Sequence, residues 1–169
     1  PRRPEQGKPP RASLSTATWS ATMTQVTTKE GAVASRLNPY LNFPGNAREA
    51  MEFYQQVFGG SLRMSTFGEF GAAEPGTADQ IMHAMLETDR GFTLMASDLP
   101  PGMEHTPGTT ISVSVSGDDA DELRRYWERL SEGGVVTMPL EKQMWGDEFG
   151  MCTDRFGIPW MVDITPPPG

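Results

Sequence analysis

The chain has 169 residues and a formal net charge of −8, unevenly placed: residues 1–36 carry six Lys/Arg and two acids, residues 37–169 eight and twenty. So acidic a body repels phosphate backbones, which argues against nucleic acid as a partner and favours a neutral or cationic small ligand. No apolar run approaches the roughly 18 residues of a membrane span, no N-terminal apolar stretch marks a secretory signal, and one cysteine, Cys152, excludes a disulfide framework or a Cys-based zinc finger; a cytoplasmic setting without a membrane partner is expected.

Residues 1–36 are rich in Pro, Ser, Thr, Ala and Arg and carry neither a helical nor a strand period. They are expected to form a disordered tail. Met23 is one candidate for the native start; a Met removed before Pro1, or added residues, are the others. From residue 37 the pattern sharpens. Residues 37–43 alternate apolar and polar, Tyr40 apart, as a half-buried strand does, with Pro39 placing it near an edge. Asn46 and Glu49 form a capping-box pattern, and Ala47, Ala50, Met51, Tyr54, Val57 and Phe58 give a helical stripe that Gly59-Gly60 ends. Strands are expected over residues 62–67, 81–87 and 92–97, with an acidic, Gly-rich loop at 69–80.

The same order then returns. Residues 110–116 alternate Ile111, Val113 and Val115 with serines. Asp119 and Glu122 mark a helix start, Ala120, Leu123, Tyr126, Trp127 and Leu130 make its stripe, and Gly133-Gly134 ends it. Strands follow over 135–143, 149–153 and 159–164. Thr88-Asp89-Arg90 recurs as Thr153-Asp154-Arg155, each before a Gly and each followed by a Met four residues after that Gly. Two hairpins sharing turn-forming residues would look similar, but the order of features favours two β-α-β-β-β modules. The expected organisation is a tail (1–36), a first module (37–98), a connector (99–109), a second module (110–165) and a C-terminal tail (166–169).

Three segments carry a resemblance: Leu37-Asn38-Pro39-Tyr40-Leu41-Asn42-Phe43; residues 50–60 from Ala50 to Gly60; and Trp145-Gly146-Asp147-Glu148-Phe149-Gly150 running into Asp154-Arg155-Phe156-Gly157-Ile158-Pro159-Trp160. With the paired modules, they resemble the vicinal oxygen chelate superfamily, which includes glyoxalase I, extradiol dioxygenases and bleomycin-resistance proteins. Within it they look like the PhnB-like, "3-demethylubiquinone methyltransferase-like" branch. The resemblance implies an α+β fold of two βαβββ modules, a curved mixed sheet around a cleft, and a homodimer. The methyltransferase label has no support in the residues: no Gly-rich loop follows a strand to hold S-adenosylmethionine. Superfamily enzymes hold a divalent metal with four side chains, usually His, Gln or Glu. The matching positions here are Pro39, Met95, Ser112 and Met161. Pro cannot ligate, Ser is a poor ligand and thioethers are soft, whereas such ions prefer carboxylate and imidazole. Neither a metal nor another cofactor is expected.

The remaining candidates follow from residue type. His83, mid-strand, suits a general base or a pocket hydrogen-bond group, against the plainer reading of a satisfied strand histidine. Asp98 and Asp163 end the last strands of the modules, as a carboxylate pair or as turn caps. His83 and Asp98 are thus the catalytic candidates. Tyr40 and Asn42 share a strand face. Seven methionines (Met82, Met85, Met95, Met138, Met144, Met151 and Met161) fall in the β-rich part, as core filler or as an adaptable apolar lining. Trp145 sits in a Gly/Asp/Glu loop before Phe149, where binding groups concentrate. Asp147 and Glu148, being adjacent on a strand edge or loop, point apart. The expected ligand-binding set is Tyr40, Asn42, His83, Met95, Ser112, Trp145, Phe149 and Met161. The function expected is a metal-free small-molecule binder of the bleomycin-resistance kind. The alternatives are a superfamily enzyme with a displaced metal site using His83, Glu87 or Asp98, and a non-catalytic dimeric module.

Overall fold

The computed structural model describes residues 36–71, 74–100 and 102–166. Of the expected N-terminal tail only Arg36 falls within them, and residues 167–169 of the C-terminal tail fall outside. The first module runs β1 (Tyr40–Phe43), α1 (Ala47–Phe58), β2 (Ser61–Thr66), β3 (Ile81–Glu87) and β4 (Thr93–Asp98). The second runs β5 (Val113–Gly117), α2 (Ala120–Ser131), β6 (Val135–Lys142), β7 (Glu148–Thr153) and β8 (Pro159–Ile164). A 3-10 turn at Gly68–Phe70 interrupts the expected loop.

Each module forms its own four-stranded mixed sheet, ordered β1-β4-β3-β2 and β5-β8-β7-β6. In both, the first strand runs parallel to the last and the others are antiparallel. The fold is the expected α+β pair of βαβββ modules, with the two sheets not hydrogen-bonded into one.

One face of each sheet packs on its module's helix and the other is open. On the helix side lie Leu41, Phe43, Ala84, Leu86, Leu94 and Ala96 of the first sheet, and Val115, Cys152, Trp160, Val162 and Ile164 of the second, all buried. They meet Met51, Tyr54 and Val57 of α1 and Leu123, Tyr126 and Leu130 of α2. Each large aliphatic side chain so buried stabilises the fold by about 1.5–3 kcal/mol.

The modules join through these helix-bearing sides. The Phe58 ring lies 5.0 Å from that of Tyr126 and 5.5 Å from that of Trp160, and Phe53 lies 5.4 Å from Phe156. Arg90, in the β3–β4 turn, reaches across to Asp119 and Glu122 at the start of α2.

Asp154 is the polar centre of the join. It is buried, its Oδ1 accepts the Phe156 and Ile158 amides, and its Oδ2 accepts the Tyr54 hydroxyl and the Trp160 indole N–H, both at 2.7 Å. This explains the Asp-x-Phe-Gly-x-x-Trp segment as structure: the aspartate closes its own turn and ties in Tyr54 from the other module.

The internal repeat holds, but one of its markers is a coincidence. The β3–β4 turn closes from Gly91 N to Thr88 O, and the β7–β8 turn from Gly157 N to Asp154 O. Thr88 therefore matches Asp154, and the two Thr-Asp-Arg triplets are one residue out of register. A truer marker is the second glycine after each helix. A Cβ on Gly60 would lie 2.3 Å from Glu87 O, and one on Gly134 2.3 Å from Thr153 O, the matching carbonyl of the second module. Only glycine permits that approach.

Helix capping also differs from expectation at one end. Asp119 caps α2 as foreseen, accepting Glu122 N. Asn46 makes no side-chain cap bond, and its Oδ1 is buried without a partner among the described residues. Asp98 caps α1 instead, from the sheet: its Oδ1 accepts the Gly45 and Ala47 amides and its Oδ2 the Ile81 amide.

Candidate functional site

Strand alternation sends every second side chain to the open faces. On the first sheet, Tyr40 stands opposite Met95, Asn42 opposite Ser97, Met95 opposite Met85, and Met85 opposite Arg63. His83 lies two residues before Met85 on β3 and so shares its face. The Tyr40 and His83 rings stack with centroids 5.8 Å apart, and Tyr40 Oη lies 3.3 Å from His83 Nδ1. Tyr40 is 45% exposed, while His83, Met85 and Met95 are half-buried. Glu87, further along β3, is paired with Arg63 and Arg36. Four expected binding residues, Tyr40, Asn42, His83 and Met95, are thus brought together on one surface.

The second sheet repeats the pattern. Ser114 stands opposite Met161, Met161 opposite Met151, and Met151 opposite Met138. Phe149 and Asp163 are opposite each other on the same face, and the ring of Trp145, 59% exposed in the β6–β7 turn, lies 6.1 Å from that of Phe149. Ser112 precedes β5 by one residue. Phe149, Met161 and Trp145 therefore group on this surface.

The first carboxylate candidate is corrected by its orientation. Asp98 points to the helix side, where it caps α1, and is not a catalytic group on the open face. Its counterpart in the repeat is Ile164, because Phe43 pairs with Asp98 as Gly117 pairs with Ile164. Asp163 faces the opposite way, so the two are not a pair. Its Oδ1 is buried with no partner among the described residues, and burial, then the nearby Asp147 charge, raises its pKa. The adjacent acids part as expected: Glu148 takes Arg124 in a two-pronged ion pair that lowers its pKa, while Asp147 lies near Asp163.

The four superfamily metal positions do not suit a hard divalent ion. Met95 and Met161 are equivalent, each four residues after its turn glycine. Their β1 and β5 neighbours are Tyr40 and Ser114, so Pro39 and Ser112 are not true counterparts of one another. With either register the side-chain donors at these positions are hydroxyl and thioether groups, and Pro39 offers none. Among the described residues no three His, Cys, Asp or Glu side chains gather as a metal site would need.

Sequence reasoning missed Ser97 and Ser116 as members of these faces, named Asp163 only as a carboxylate partner for Asp98 or a turn cap, and left Met85 and Met151 between core filler and apolar lining. The signal was available in the two-residue period running from Met95 and Met161. Two cavities, of about 350 and 380 Å³, lie where the modules adjoin rather than over the open faces; Tyr40 and Asn42 rim the second.

A model of the family described as 3-demethylubiquinone-9 3-methyltransferase matches residues 35–163. The crystal structure of protein PA1353 from Pseudomonas aeruginosa is 40% identical, covers 79% of this chain and 99% of its own, and superposes with a TM-score of 0.69. The PhnB protein of Bacillus cereus is 25% identical over 78% of this chain and 100% of its own, with a TM-score of 0.62. The glyoxylase/bleomycin resistance protein/dioxygenase domain of Frankia sp. EAN1pec, at 13% identity, shares the fold alone, with a TM-score of 0.55 over 82% of this chain and 96% of its own.

Proposed function

The chain belongs to the PhnB-like, 3-demethylubiquinone-9 3-methyltransferase-like branch of the vicinal oxygen chelate superfamily, and on that footing we propose that it binds a small molecule on its open sheet faces without a hard divalent metal. The observation that carries this reading is the make-up of those faces. They are half-exposed, lined by thioethers and aromatic rings, and edged by a few hydrogen-bonding groups: Tyr40, Asn42, His83, Ser97 and Asp163. Adaptable apolar walls with few polar groups are what small-molecule sites use.

Among the described residues nothing covers either open face, since the modules join by their helix sides. A homodimer that sets the first sheet of one copy against the second sheet of another would enclose a cleft. The acidic body favours a neutral or cationic ligand. No helix among the described residues is long and apolar enough to cross a membrane, and the single thiol, Cys152, is buried, which suits a cytoplasmic setting. The domain organisation proposed is the pair of modules joined by residues 99–109.

The test is ligand-dependent thermal stabilisation of the metal-stripped protein, using a panel of neutral and cationic aromatic compounds, alongside elemental analysis of the protein as purified. Stabilisation of several degrees without added metal, with no stoichiometric zinc, nickel, manganese or iron, supports the reading. Stoichiometric zinc, nickel, manganese or iron lost on His83→Ala favours the second reading, an enzyme with a displaced site. One observation favours that alternative: of His83, Glu87 and Asp98, only His83 lies on an open face outside an ion pair or a helix cap. Absence of both ligand and metal would leave a non-catalytic dimeric module.

A further inference from the structure

The mismatch between the superfamily's hard-metal positions and the donors present here has a positive side. Thioethers that repel a hard ion are the ligands a soft one selects. Met85 and Met95 stand directly opposite each other on β3 and β4. Side chains so placed have Cβ atoms about 4.5–5.5 Å apart, a spacing from which two flexible thioethers can converge on one ion. His83, two residues before Met85, adds an imidazole to the same face.

His83 is also held in place. Tyr40 Oη lies 3.3 Å from its Nδ1 and the rings stack. Nε2 is then the nitrogen that remains for a cation, the arrangement in which a neighbouring group orients a ligating histidine. All three donors are half-buried, reachable by an ion yet partly shielded from water.

We propose that His83, Met85 and Met95 form a binding site for copper(I), a soft monovalent cation, on the open face of the first sheet. The proposal goes beyond small-molecule binding and does not depend on it.

The internal repeat supplies a comparison inside the same molecule. Met151 and Met161 occupy the places of Met85 and Met95, and Phe149 occupies that of His83. The second sheet has the thioether pair without the imidazole, with Met138 as a further thioether opposite Met151.

The experiment is anaerobic copper(I) titration of the full chain in competition with a chromophoric copper(I) chelator, together with NMR of the methionine methyl groups during silver(I) addition. One copper(I) per chain is expected, at submicromolar affinity, with the Met85 and Met95 methyl signals shifting. His83→Ala and the double variant Met85→Leu/Met95→Leu should each weaken affinity at least tenfold. Met103→Leu, at an exposed thioether of the connector outside both sheet faces, should leave it within about twofold, and circular dichroism checks that every variant is folded. The proposal is overturned if no stoichiometric copper(I) binds, if His83→Ala or Met85→Leu/Met95→Leu binds as the parent does, or if Met103→Leu or Cys152→Ser abolishes binding.

Discussion

The Tyr54 hydroxyl of α1 donates to Asp154 Oδ2 in the second module at 2.7 Å, across 100 residues of sequence. Both groups are buried, and the Trp160 indole shares the same carboxylate oxygen. Tyr54→Phe keeps the ring packing and removes one charge-assisted bond, so it should cost about 1.5–3 kcal/mol. Burial, then the Asp154 charge, holds the Tyr54 phenol far above its ordinary value of 10.0. The unfolded chain releases this proton near pH 10 and the folded chain does not, so the contribution is fully present below that pH and declines as pH rises above it. The limiting slope is about 1.4 kcal/mol per pH unit. Cys152, pushed up to about 11 by burial, acts in the same sense and remains in the variant. Urea unfolding between pH 8 and 11 should show a shallower alkaline loss in Tyr54→Phe than in the parent.

Asp98 should prove to be a stability residue. Its two oxygens serve the Gly45, Ala47 and Ile81 amides. Asp98→Ala leaves three buried or part-buried donors unanswered, and a loss of about 2–4 kcal/mol is expected. Ligand-dependent thermal shifts should persist in Asp98→Asn wherever it folds. Selective loss of binding with unchanged stability would contradict the cap assignment.

Gly150 explains the end of the Trp-x-Asp-x-Phe-Gly segment. A Cβ there would lie 2.9 Å from Leu140 Cα and from two ring atoms of Trp127 on α2. Gly150→Ala should destabilise by about 1–3 kcal/mol through overpacking. In a Trp127→Ala background the ring conflict is gone and only Leu140 remains, so the penalty should shrink. A double-mutant cycle measured by denaturant unfolding reads the coupling.

Trp145 and Trp127 should behave oppositely. Trp145→Ala removes a largely exposed ring and should cost under about 1 kcal/mol of stability. On the proposed reading it should weaken binding of a neutral apolar dye such as Nile red by about 2 kcal/mol. Trp127 packs against the core and over Gly150, and its replacement by Ala should cost about 3 kcal/mol. Equal damage from the two substitutions would remove Trp145 from the binding surface.

Light scattering in the micromolar range should give twice the 18.5 kDa chain mass. Placing charge on an open face, for example Met151→Lys with Met161→Lys, should shift the protein towards monomer if that face is enclosed by a second copy. A monomer in the parent protein would contradict the enclosed-cleft reading.

The element order was legible in the sequence because it rests on local periods. The α1 stripe from Ala47 to Phe58, the β3 run and the second module's matching order all appear where the alternation and the helical spacing put them. The resemblance added the family on the same segments. What the sequence did not settle depends on direction and on partners distant along the chain. Asp98 and Asp163 look alike at strand ends, yet the register of the last strands turns one towards the helix and the other to the open face. Asp154 reads as a turn former, and only the packing of α1 against the second module makes it the acceptor for Tyr54. A strand's faces differ by one residue of register, and that register is decided by the whole sheet and its helix, not by the residues of one strand.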